Sequence, residues 1–372
     1  MAWIRSYSCE SAAGSGVDSL WQALRQGRDV SQLFVAQSQI AQAGSSELRA
    51  CLFQGLRPDT SRALLGEKMH TAFLPVAADL RQERPFGVIF ASTKGMLNDF
   101  VWQENAADVQ LDPLTPLLED FLQRTGLQPV RRLVVSNACS SALAAMALSE
   151  RWLKQGLEQV LIVAADAVTP FVLKGFQSLN LISASGIRPF SGDRSGFYLG
   201  EAAACLLLEG TRTQNSLRLR PVGLDGEGSA VTRPSVSGDS VVRAALNIPR
   251  LRESPPDVVI AHGTGTVIND ETEDLAFTRL FGELQQPPLI TGTKWCTGHT
   301  LAVSGALDTI AACEALRRQE LFHLARTAAA DAKFRGHYAV QGSALPSRVE
   351  RVMISSLGFG GLHASALIER SP

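Results

Sequence analysis

The chain has 372 residues, a formal charge of −1 at pH 7, and 45% hydrophobic, 19% charged and 6% aromatic side chains. It is long enough for a large core and for two domains or one duplicated one, and it has no overall basic field to attract nucleic acid or an anionic membrane. The six cysteines (Cys9, Cys51, Cys139, Cys205, Cys296 and Cys313) are scattered without Cys-x-x-Cys spacing, which argues against a zinc site or disulfide framework and for a reducing cytoplasm.

Met1 to Cys9 has no basic segment followed by an apolar one, so no signal peptide is expected. No run approaches the roughly 18 apolar residues that a membrane span needs. Leu20, Trp21 and Leu24 at helical spacing predict an amphipathic helix over 17–27, ended by Gly27. Further helical segments are expected near 60–66 and 71–82. A strand follows over 86–92, ended by Thr93-Lys94-Gly95, and then a helix near 114–125 closed by Gly126. The rhythm becomes regular with strand 132–136, helix 140–155 and strand 159–164. A loop with helical pieces over 167–186 and a turn-rich stretch from Arg188 to Gly200 lead to strand 202–209. A second series reads strand 216–223, helix 239–249, strand 257–261, helix 271–282, strand 288–291, helix 303–318 and strand 350–356.

Continuous apolar strands alternating with helices predict buried parallel strands in a layered α/β fold. Residues 1–210 and 211–372 read as one architecture used twice, with no linker between them. A strand ends at Cys139 in the first half and at His262 in the second. Ligands gather at the carboxyl ends of such strands, so duplication would bring both residues to one crevice.

Four stretches carry the candidate chemistry: Asn137-Ala-Cys139-Ser-Ser, His262-Gly-Thr264-Gly-Thr266 with Asn269, Asp270 and Glu273, Lys294-Trp-Cys-Thr-Gly-His299, and Gly358-Phe359-Gly-Gly361. Cys139 stands at a sharp strand-to-helix turn, where the helix dipole and free N–H groups are expected to lower its pKa and favour the nucleophilic thiolate. Taken singly, each of these residues has an ordinary structural reading. A cysteine at such a junction is most often a small buried hydrophobe, and a lone lysine lies at the surface.

Together they resemble the β-ketoacyl-acyl carrier protein synthases, the condensing enzymes of the thiolase fold. His262–Glu273 is similar to the family's HGTGT-x-x-N-D-x-x-E string, Lys294–His299 to K-x-x-x-G-H, and Gly358–Gly361 to G-F-G-G. Arg188–Glu201 resembles R-P-F-x-x-x-R-x-G-F-x-x-G-E, and Gly87–Gly95 the family's first-half strand. The chain departs from the pattern at its N-terminus, at Leu357, and at Leu362-His363, where Thr-Asn is usual. These departures point to a specialised pathway rather than housekeeping elongation.

The resemblance implies a thiolase-like α/β fold, with two duplicated βαβαβ halves in a layered α-β-α-β-α core. It also implies that Cys139 takes an acyl group as a thioester and passes it to the carbanion of a decarboxylating malonyl thioester, a ping-pong covalent strategy. The amides of Cys139 and Phe359 would form the oxyanion hole, and neutral His262 and His299 would donate from Nε2 to the enolate. Lys294 and Glu273 would form a supporting charged pair that orients His299. Thr264 and Thr266 would contact the phosphopantetheine arm. Phe359 would gate the site, and Phe176 would line the acyl tunnel. No metal or resident cofactor is implied, because substrates arrive on the phosphopantetheine arm of acyl carrier protein.

The implied partners are acyl carrier protein, malonyl and acyl thioesters, and a second subunit, either identical or similar. A carrier, acyltransferase or reductase would be a separate protein. The alternative is a non-catalytic, chain-length-determining partner subunit of a heterodimer, but such subunits typically lose the nucleophile that Cys139 retains. A thiolase is disfavoured because its second cysteine has no clear counterpart.

Overall fold

A computed structural model describes residues 1–33, 48–53, 62–95 and 112–370. The strands that organise the first half are β1 (Ala2–Ser11), β2 (Phe86–Ala91), β3 (Arg131–Val135), β4 (Gln159–Asp166) and β5 (Ala202–Glu209). Those of the second half are β6 (Leu217–Leu219), β7 (Val258–Ile260), β8 (Leu289–Thr291), β9 (Arg351–Gly358) and β10 (Leu362–Glu369). The first set is ordered β3-β2-β4-β5-β1 and the second β8-β7-β9-β10-β6, the same order twice.

The pairing senses repeat as well. β3, β2 and β4 are parallel, and β5 and β1 follow antiparallel. β8, β7 and β9 are parallel, and β10 and β6 follow antiparallel. The two first strands, β1 and β6, join the halves through an antiparallel seam in one 13-stranded sheet. Each half thus holds the expected buried parallel strands and adds two antiparallel ones. β9 returns as β10 through the tight turn at Gly360-Gly361 (φ 82° and 71°), and a hairpin connection forces antiparallel pairing.

The longer helices among the described residues are α1 (Gly16–Gln26), α2 (Arg62–Ala77), α3 (Thr115–Thr125), α4 (Ser141–Lys154), α5 (Pro170–Ser178), α6 (Asp239–Leu246), α7 (Val267–Phe281) and α8 (Ser304–Arg318). The two segments expected near 60–66 and 71–82 are one helix, α2, which runs through Pro75. Residues 60 and 61 of that expectation lie outside the described residues.

Alternation sorts the core. On β2, Phe86, Val88 and Phe90 face α2 and α3, where Phe73 and Phe121 meet edge to face at 5.6 Å. Ile89 and Ala91 point the other way, toward α4 and α8. β2 is buried on both faces, which is why its sequence is continuously apolar rather than alternating. α4 and α8 pack on each other in the middle of the molecule, and a Cβ on Gly305 would stand 3.1 Å from Leu143 Cγ. α6 packs on the far side of β10, with α7 against it. Helices thus alternate with the sheet halves as α-β-α-β-α. No helix among the described residues is long and apolar enough to cross a membrane.

β1 and β10 escaped the sequence reading because buried polar side chains interrupt their apolar runs. Ser8, Glu10 and Ser11 are all buried in β1, as are His363 and Ser365 in β10.

Candidate active site

Four of the site's strands, β3, β7, β8 and β9, end at one crevice. After β3 the chain turns through Ala138, whose φ of 48° is left-handed and strained for a side-chain-bearing residue. That turn projects Cys139 ahead of the first turn of α4. Ser140 and Ser141 fasten it, their hydroxyls bonding the carbonyls of Asn137 and Ala138 at 2.8 and 2.6 Å. Ser356 of β9 donates to the Cys139 carbonyl at 3.0 Å, tying the elbow to the second half.

Cys139 is 4% exposed. Its sulfur lies 3.1 Å from His299 Nε2, and the backbone N–H groups of Phe359 and of Cys139 itself favour its charged form. Phe359 and Cys139 line one cavity, so both amides stand on the side of the crevice where a thioester carbonyl would enter. The expected lowering of the thiol pKa is not found. Burial dominates and pushes it up to about 12, against the opposing Lys294 charge and the Phe359 N–H. In the resting protein the group is a thiol, with His299 Nε2 within hydrogen-bond distance.

His299 is held by its other ring nitrogen, with Nδ1 3.0 Å from Ser304 Oγ on α8. A hydroxyl both donates and accepts, so Ser304 accommodates either imidazole tautomer. Burial, then the Lys294 charge, pushes the His299 pKa down to about 3, and the same two causes hold His262 well below the ordinary imidazole range. Both rings are neutral at physiological pH. They meet edge to face with centroids 5.1 Å apart.

Two details of the Lys294–Glu273 expectation are corrected. Lys294, 1% exposed, makes its ion pair with Asp308 of α8, Nζ to Oδ2 at 3.2 Å. Glu273 instead accepts the backbone N–H groups of His262 and Gly263, each at 2.7 Å, and Asn269 Nδ2 at 3.0 Å. It anchors the loop after β7, while Ser304 orients His299. The reason is positional: Ser304 and Asp308 are one helical turn apart on α8, and that face looks into the site. Burial pushes the Glu273 carboxyl up to about 7, with the Gly263 N–H pulling the other way.

The Thr264 and Thr266 hydroxyls are 3.0 Å apart on the loop after β7. Both line a cavity of about 250 Å³ that also contains Cys139, His262, His299 and Phe359. Phe176 of α5 lies in the same wall, 5.4 Å from Phe359 and 5.5 Å from Phe197 between ring centroids. The turn-rich string from Arg188 to Glu201 packs under the loop after β7. The Phe190 N–H donates to Asp270 at 2.7 Å and the Gly196 N–H to the Gly265 carbonyl at 2.8 Å.

Three residues of the site carried no assigned role in the sequence reading. Ser304 and Asp308 carried a signal, two polar residues four apart among the small and apolar residues of the helix's first turns. Asp166, at the end of β4, accepts from Ser92, Thr93 and the Ala302 N–H just beyond His299. It links three distant segments, and nothing local in the sequence marks it. Among the described residues no cluster has a metal-binding arrangement.

The family model "Beta-ketoacyl synthase, N-terminal domain" matches residues 131–214, and "Beta-ketoacyl synthase, C-terminal domain" matches 220–327, together more than half of the chain. Nodulation protein E of Rhizobium leguminosarum bv. trifolii is 33% identical over 192 residues, covering 49% of this chain and 48% of its own length. The chain thus spans about half the length of the first curated relatives it matches. The granaticin polyketide putative beta-ketoacyl synthase 1 of Streptomyces violaceoruber is 27% identical, covering 76% of this chain and 74% of its own. A solved complex of a type II polyketide acyl-carrier protein with its ketosynthase bound to the hexaketide has a TM-score of 0.84 at 19% identity. It covers 100% of this chain and 99% of that one, a likeness of fold. With these matches, and with the fold and the four strand ends already described, the chain belongs to the β-ketoacyl synthases of the thiolase-fold superfamily.

Proposed function

We propose that the chain is a β-ketoacyl-acyl carrier protein synthase that joins a Cys139-bound acyl group to a malonyl thioester in a specialised type II fatty-acid or polyketide pathway. The observation that carries this reading is the Cys139 sulfur, with His299 Nε2 at 3.1 Å and His262 and Phe359 lining the same cavity. As the thiol adds to the acyl thioester carbonyl, its proton passes to His299 and then to the departing carrier thiol. The oxygen's developing charge falls between the Cys139 and Phe359 amides. In the second half-reaction the malonyl carboxylate leaves as CO2. Its bonding electrons form the enolate, which attacks the acyl carbonyl and expels the Cys139 thiolate. Neutral His262 and His299 suit donation to that enolate. Lys294 acts through the field it sets over both rings, and Phe359 gates the entry of the extender.

Acyl and malonyl thioesters reach the cavity on a carrier protein's phosphopantetheine arm, past Thr264 and Thr266, with Phe176 bounding the acyl side. No resident cofactor is proposed. The same reading gives a dimer, of two copies or with a similar ketosynthase-like subunit, and a cytoplasmic setting in which the six buried cysteines stay reduced. Division at 210/211 into two thiolase-like halves is supported by the repeated strand order.

Incubation with carrier-bound acyl chains is expected to add the acyl mass to the protein, and Cys139→Ala to abolish the addition. Replacing His262 or His299 by Ala is expected to slow decarboxylation by roughly 10²–10³-fold. If no acyl chain modifies the wild-type protein, the chain is a non-catalytic partner subunit instead.

A further inference from the structure

His363 is 2% exposed on β10, two residues beyond the turn that carries Phe359. Its Nε2 lies 3.1 Å from Glu227 Oε1, while its Nδ1 is buried with no hydrogen-bond partner among the described residues. That fixes the tautomer, with Nε2–H donating to the carboxylate and Nδ1 bare, because a buried N–H without an acceptor is the costlier orphan.

Glu227 opens the segment 227–235, which contributes Thr232, Arg233 and Pro234 to the cavity wall. Its Oε1 also accepts the Ser235 N–H at 2.6 Å, holding the two ends of that segment together. The segment is bolted to the Phe359 turn by backbone as well. The Glu227 N–H donates to the Gly361 carbonyl at 2.9 Å and the Gly360 N–H to the Val231 carbonyl at 2.7 Å. A Cβ on Gly361 would come within 2.0 Å of the Glu227 carbonyl oxygen, so the two segments have no room to slide past each other. The other charged and titratable groups around His363 are Asp225, directly opposite it on strand Gly223–Gly226, Arg243 of α6, and His262. Arg243 pairs with Asp225, which leaves Glu227 as the acceptor facing His363.

We propose that the His363–Glu227 pair is a clasp that positions the Phe359 turn against the cavity wall at 227–235, and thereby holds the Phe359 backbone beside Cys139 in the cavity. His363 and Glu227 are positioning residues. They touch neither sulfur nor substrate, and act through Gly360, Gly361 and Phe359. The proposal rests on Cys139 as nucleophile and Phe359 as its amide donor, and is independent of which acyl group is carried.

The test is the rate of Cys139 alkylation by iodoacetamide in the full chain from pH 7 to 10, read by intact mass with Cys139→Ala as the mapping control. Losing the Phe359 donor raises the thiol pKa, so His363→Leu and Glu227→Ala are expected to alkylate roughly tenfold more slowly at each pH, a displacement of about one pH unit. His363→Asn and Glu227→Gln keep a donor and an acceptor in place and are expected to stay within about twofold of wild type. The double variant His363→Leu/Glu227→Ala is expected to be no slower than either single variant. Glu227 is half-buried on a loop, so Glu227→Ala against Glu227→Gln carries the test if His363→Leu fails to fold. Folded Glu227→Ala or His363→Leu protein with the wild-type alkylation profile overturns the clasp. A wild-type protein that is not alkylated at Cys139 at any pH overturns the nucleophile reading instead.

Discussion

Lys294 shows how much a single residue's meaning depends on its surroundings. In the sequence it is an ordinary lysine; in the fold it is 1% exposed, paired to Asp308, and its charge adds to burial in keeping both histidines neutral. Asp308→Asn leaves that ammonium buried without a counter-ion and is expected to cost about 3–5 kcal/mol, read as a large drop in the denaturation midpoint. The histidines make a separate prediction. His299 stays neutral down to about pH 3 in the folded chain, whereas an unfolded imidazole charges near its ordinary value of 6.5. Between those values the unfolded state holds a proton that the native state lacks, so this residue makes stability rise with pH. Glu273, raised to about 7 by burial, acts in the opposite sense between its ordinary 4.5 and 7. Urea denaturation of His299→Asn between pH 4 and 6 is therefore expected to show a slope shallower by about 1.4 kcal/mol per pH unit than the wild type's.

At the scale of elements, close approach decides which residues are tolerated. A Cβ on Gly223 would meet the Ala244 carbonyl oxygen of α6 at 1.9 Å. Gly223→Ala has to lift the C-terminal end of α6 off the strand that pairs with β10, at a cost of roughly 1–3 kcal/mol, measurable in thermal unfolding. The same approach explains the clasp's location, because this edge strand places Asp225 opposite His363. Elements with one strong periodicity were legible in the sequence. α1, α3 and α8 lie within a residue or two of expectation, because a capping glycine or an apolar stripe marks their ends. The predicted strand 216–223 is instead two short strands, Leu217–Leu219 and Gly223–Gly226, both paired with β10. Local hydrophobicity carries no record of where a run must bend to follow its partner.

In the whole molecule, the repeated strand order is what makes a site. Equivalent strand ends of the two halves meet, so Cys139 comes from the first while His262, His299 and Phe359 come from the second. The join is also held by side chains. Tyr7 of β1 donates to Glu314 of α8 at 2.6 Å, in a buried pair between residues 307 positions apart. Tyr7→Phe leaves one Glu314 oxygen unpaired and is expected to cost roughly 1–3 kcal/mol, lowering the urea midpoint without altering Cys139 acylation.

The sequence by itself determined which residues gather at the crevice, because chemistry demands particular residue types, and strand-end glycine loops bring those types close to a ligand. It also determined the layered α/β class, through the continuous burial of its strands. Only the tertiary structure decided which charges pair. Lys294 binds Asp308 and not Glu273, Ser304 orients His299, and Glu227 meets His363, since each contact joins residues by helix face or strand register rather than by spacing along a motif. It also decided the state of Cys139. Local position at a helix start favours a thiolate, but the burial that the whole fold imposes outweighs it and leaves a thiol with an imidazole nitrogen 3.1 Å away.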